Sequence, residues 1–156
     1  MCSHRFLTAL CHDIERERCF AERLIRQAEA MAGEYPVVRG RMARCAAAAL
    51  GNAVALAQEV ICLGGDPPAL AAASPAKSLR RWECRGYLRE AREALNHYRR
   101  RVEAAERLGM ARLSEVFRTI LITKQRHLAY AVFSAPDNRS GTNRPPGSCF
   151  EEPNIA

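Results

Sequence analysis

ICLGGDPP (residues 61–68) is the strongest stop in this chain, and it divides two pairs of long helical segments. Two adjacent glycines followed by Asp-Pro-Pro end any helix and begin an extended connection. Gly and Pro are spread unevenly on either side. Residues 1–32 contain neither, Gly33 to Pro36 make a short turn, Pro75 follows the stop, and no further proline occurs until Pro136. Inside that last stretch the only glycines are Gly86 and Gly109. Four segments result, about 3–32, 37–63, 76–108 and 110–134.

Each segment carries helical periodicity rather than strand alternation. In the first, positions 7, 10, 14, 17, 21, 24, 28 and 31 step by three and four and read Leu, Leu, Ile, Glu, Ala, Leu, Ala, Met. The second runs Val38, Met42, Cys45, Ala49, Asn52, Leu56, Val60 and Leu63. The third runs Cys84, Leu88, Ala91, Leu95, Tyr98, Val102 and Ala105, and the fourth Leu113, Phe117, Ile120, Lys124, His127 and Ala131. One apolar stripe per helix predicts an all-α four-helix bundle over residues 1–134. The Pro/Gly/Asn-rich remainder, 135–156, is expected to be a disordered tail.

Connection lengths fix the expected topology. The first turn is about four residues and the third is a single glycine, Gly109, suited to a helix C-cap, so both joints make antiparallel hairpins. The middle connection holds roughly a dozen residues and can reach about 40 Å. A helix of 27 residues is also about 40 Å long. The chain can therefore cross the whole bundle between the two hairpins.

The composition is 48 % hydrophobic and 26 % charged, which excludes general disorder. No run of eighteen apolar residues exists, so no membrane span is expected, and charge in the N-terminal stretch precedes any signal-peptide core. A cytoplasmic location follows as the expectation. Seven cysteines (2, 11, 19, 45, 62, 84, 149) include no C-x-x-C pair. They read as reduced, core or half-buried thiols, with a soft-metal site assembled across helices as the alternative. No Gly-rich phosphate loop or Ser/His/Asp motif occurs, and Cys11 and His12 are adjacent and so point to different helix faces.

Four polar residues interrupt the apolar stripes: Glu17, Asn52, Lys124 and His127. Burying an unpaired charge is costly, so these groups should meet one another or a ligand. Helix order, the long crossover and the ICLGGDPP ending of the second helix resemble the bacterioferritin branch of the ferritin-like family over about residues 5–133. The ending is similar to the FLxGxP close of that family's second helix.

The resemblance implies a di-iron centre built from a Glu on each of two helices and a Glu-x-x-His on each of the other two. Carried onto this chain, the first Glu falls on Glu17, and the second helix's pair on Ala49 and Asn52. The third helix's Glu falls on Ala91, next to Glu90, and the last pair on Lys124 and His127. Glu17 and His127 are thus the remnant metal positions, while Ala49, Asn52, Ala91 and Lys124 stand where ligands are replaced. The expectation is a degenerate, non-enzymatic centre with no cofactor, and with iron only if that register is wrong. Lys124 is expected to face Glu17 where metal charge once balanced it, the alternative being that its ammonium runs out to solvent. His127 reads as a hydrogen-bonded core histidine.

The family's haem-binding methionine falls on Leu50, so no haem is expected. The implied role is a scaffold or interaction subunit, with iron storage or oxidation as the alternative. A homodimer is favoured over a 24-subunit cage, using off-stripe apolar residues such as Ile25, Trp82 and Leu121. The net charge is +7, and the third helix is dense in arginine, which allows a DNA-associated role by analogy with DNA-protecting relatives. Interleaved glutamates are expected to pair with those arginines at i, i+3 and i+4 and leave an ordinary solvated face.

Overall fold

The computed structural model describes residues 2–31, 36–70 and 84–133. These form four helices, α1 (Cys2–Ala30), α2 (Pro36–Cys62), α3 (Cys84–Arg107) and α4 (Ala111–Phe133), with no strand among the described residues. The stretches 76–83 and 135–156 lie outside them. Pro36 opens α2 at the one place where a missing N–H costs nothing.

α2 and α3 end in the same way. Gly64 (φ 76°) and Gly109 (φ 67°) take the left-handed conformation that a side chain resists. Gly64 N–H donates to Ile61 O and Gly65 N–H to Val60 O; Gly109 N–H donates to Glu106 O and Met110 N–H to Ala105 O. Both are Schellman closures, which satisfy carbonyls that the helix leaves orphaned. Gly65 has a second constraint: a Cβ there would sit 3.0 Å from Leu7 Cδ2, so the chain leaving α2 packs tightly on α1.

Long-range packing is dominated by α1 on α2 and α3 on α4, with α2 also touching α4. Side chains join α1 to α3, through Asp13 and His97 at one level and Arg23 and Glu90 at another. Every adjacent pair runs antiparallel: Glu59 meets Arg112 and Arg41 meets Tyr130 between α2 and α4, and Glu106 meets Arg118 between α3 and α4. α2 ends beside Leu7, while α3 begins beyond the Arg23–Glu90 pair near the other end of α1. The connection between them therefore links opposite ends of the bundle.

The core has two apolar halves. One joins Leu10, Ile14, Leu56, Val60, Tyr98, Leu113, Phe117 and Ile120 across all four helices. The other joins Phe20, Ala21, Leu24, Ala28, Met42, Cys45, Ala46 and Ala49. Each fully buried large side chain contributes about 1.5–3 kcal/mol.

Three sequence expectations change. Leu63, placed on the second stripe, is exposed, because α2 closes one residue earlier and turns away. Leu121 packs partly buried against the first core half, so it is no free surface; Ile25 is exposed and Trp82 lies outside the described residues. Among the cysteines, Cys45 is buried and Cys11 half-buried, but Cys19 and Cys62 are exposed, and all four are free thiols.

Candidate functional site: a carboxylate shared by four helices

Glu17, on α1 and 1 % exposed, sits between the two apolar halves. It is there because the stripe Leu10–Ile14–Glu17–Ala21–Leu24 turns it inward with its apolar neighbours. Each of the other helices sends one donor to it. Lys124 Nζ on α4 donates to Oε2 at 2.6 Å, Asn52 Nδ2 on α2 donates to Oε2 at 3.0 Å, and Tyr98 Oη on α3 donates to Oε1 at 2.9 Å. Lys124 is 3 % exposed, so its ammonium stays in the core and does not reach solvent. Burial and the adjoining Glu17 charge hold the Tyr98 phenol well above its ordinary pKa, which keeps it a donor.

An aromatic wall completes the site. Phe20 stacks between Tyr87 (centroids 6.0 Å) and His127 (5.8 Å), and Lys124 Nζ lies 4.6 Å from the Phe20 centroid. That is cation–π distance. His127 is buried, but its Nδ1 finds no hydrogen-bond partner, unlike the satisfied core histidine expected. Burial first, and the Lys124 charge second, lower its pKa to about 4. It is therefore neutral at pH 7. Glu17, Phe20, Ala91, Lys124 and His127 border a cavity of about 30 Å³. A water needs about 10–15 Å³ of such space.

All six positions assigned by the family resemblance are buried. Ala49 belongs to the second core half, Ala91 and His127 border the cavity, and Asn52 and Lys124 donate to the Glu17 carboxylate. The donor set does not suit a di-iron centre. Two hard cations need several carboxylates, and here Glu17 is the one carboxylate on those positions. Its Oε2 is already taken by an ammonium. Glu90, next to Ala91, pairs with Arg23. Among the described residues no group of three His, Cys, Asp or Glu side chains converges as a metal site.

Two further buried carboxylates escaped the stripe reading. Asp13 is held by His97 Nε2 at 2.7 Å from Oδ1, and by Arg101 Nε at 2.7 Å from Oδ2 as an ion pair rather than an aligned hydrogen bond. Glu59 on α2 is held by Arg112 on α4 at 2.8 Å. Both sit one position off the stripes, beside Ile14 and Val60. The available signal was the Asp13–Glu17 spacing of four, which places the two acids on one face.

Comparison with protein-family models, curated proteins and solved structures finds no match to this chain.

Proposed function

We propose that the chain is a ferritin-like bundle of the bacterioferritin branch whose di-iron ferroxidase centre has been lost. Its role is that of a non-enzymatic interaction subunit. The observation that carries this reading is Lys124 Nζ on Glu17 Oε2 at 2.6 Å. A protein cation stands beside the one family carboxylate that remains, so the site's charge is balanced without metal. The ring of neighbours α1–α2–α4–α3, with a connection between opposite ends, supports the ferritin-like topology. Anaerobic Fe(II) titration followed by exposure to oxygen tests the loss. Bound iron should stay at background with no ferric absorbance. Stoichiometric binding with rapid oxidation would overturn the reading in favour of an iron-homeostasis protein.

The interaction surface we assign to a second copy is the outer face of α2. Ala43, Ala47, Leu50, Gly51, Val54 and Ile61 are all exposed on it, and no charge lies between Arg44 and Glu59. By length and composition α2 could even cross a membrane, although half of its apolar window is buried in the bundle. Small residues fill the first half of this face and large ones the second. An antiparallel pair about Leu50 and Gly51 therefore sets Ala47 against Val54 and Ala43 near Gln58 and Ile61, as an isologous interface requires. Light scattering should give twice the chain's mass, and Val54→Glu should return it to a single chain. An unchanged mass in that variant would place the interface elsewhere.

A further inference from the structure

We infer that the outward arc of α3 binds the phosphate backbone of duplex nucleic acid, without reading its sequence. At 100° per residue, Arg89, Arg92, Arg99, Arg100 and Arg107 fall within one arc of about 120°. All five are exposed. The sequence suggested that interleaved glutamates neutralise them, and the packing removes that explanation. Glu90 turns to Arg23 on α1 and Glu106 to Arg118 on α4. Only Glu93 and Glu103 remain on the arc. Among the described residues its only ion pair is Arg89–Glu93, at 4.0 Å between largely exposed groups. Such a pair neutralises little. Three exposed arginines elsewhere, Arg23, Arg112 and Arg118, each engage a glutamate. Those that engage none among the described residues, such as Arg39, Arg44 and Arg126, are not gathered on one arc of a single helix.

The chemistry of this arc selects its partner. Guanidinium forks match phosphate oxygens. The ridge from Arg89 to Arg107 is about 27 Å long, and a duplex of that length presents a phosphate about every 1.7 Å of axis. No aromatic residue lies on the arc, so it offers no platform for unstacked bases. Nor does it carry an exposed large apolar residue of the kind that anchors a helix in a lipid interface. The surplus positive charge of the whole chain, +7, favours encounter with a polyanion. This inference does not depend on the iron reading.

Fluorescence anisotropy with a labelled 24-base-pair duplex of arbitrary sequence tests it between about 50 and 200 mM salt. Log affinity should fall with log salt at a slope of about −3 to −4. The triple variant Arg92→Gln/Arg99→Gln/Arg100→Gln should bind at least tenfold more weakly, with a slope shallower by about 2–3. The charge-matched control Arg39→Gln/Arg44→Gln/Arg126→Gln alters exposed arginines off this arc and should stay within about twofold of the parent. Circular dichroism of both variants checks that the helices are intact. Equal loss in both variants would overturn the inference, since binding would then track net charge alone. No binding at 50 mM salt would overturn it too, as would capture by phosphatidylserine vesicles with none by the duplex.

Discussion

Lys124→Met should lower the stability of the bundle by about 3–5 kcal/mol, read from urea unfolding at pH 7. The mechanism is the loss of one partner from a buried pair. Lys124 and Glu17 are 3 % and 1 % exposed, and the remaining donors to Glu17, Asn52 and Tyr98, are neutral. A carboxylate kept by two neutral donors in this position is an uncompensated buried charge. The Glu17→Gln/Lys124→Met double variant should recover most of the loss, because the amide carries no charge, its oxygen accepts from Tyr98 Oη, and its NH2 donates to Asn52 once that side-chain amide turns its oxygen inward. Replacing both members of a buried pair is commonly neutral or stabilising, whereas breaking it is not. A single variant within about 1 kcal/mol of the parent would mean that the ammonium is not needed in the core.

Acid should weaken the fold between pH 6.5 and 4, and His127 should be a main reason. Its folded pKa is lowered to about 4 by burial and by the neighbouring Lys124 charge, against the ordinary histidine value of 6.5. Through this window the unfolded chain takes up a proton that the folded chain refuses, so stability falls as pH falls and is flat above the window. The size is about 2 kcal/mol by pH 5 and about 3 kcal/mol by pH 4. His127→Leu keeps an apolar contact on Phe20 and removes the titrating group. The stability of the parent minus that of the variant, read from denaturation at pH 7.5 to 4.5, should therefore fall by about 2–3 kcal/mol toward acid. Parallel curves would show that His127 is protonated as readily in the fold as outside it.

The arithmetic of helical spacing reached most of this site. From Leu10 to Ala28 every residue on the first stripe is buried, and Glu17, Asn52, Lys124 and His127 are buried on theirs. Their inward direction depends only on positions three and four apart, which the chain displays openly. What spacing does not contain is the rotation of one helix against the next. That rotation decides that Tyr98 reaches Glu17, that Asp13 finds His97 and Arg101, and that Glu59 finds Arg112. It also takes Glu90 and Glu106 out of pairs within α3 and gives them to α1 and α4. Exposure of the α2 outer face was hidden for a related reason. A helix apolar on every side shows little preferred face, and α2 is nearly that.

The same property of α2 bears on how the chain is made. Ala53, Leu56 and Val60 are covered in the finished bundle partly by Phe117 and Ile120 of α4, in the same core half. Those residues are synthesised about sixty positions later, an interval of roughly 3–12 s at ordinary elongation rates of about 5–20 residues per second. Until then the uncharged stretch between Arg44 and Glu59 shows apolar side chains on two sides, with α1 alone to pack against. Apolar surface left open during that interval is the kind that makes a growing chain prone to aggregate before its last helix arrives.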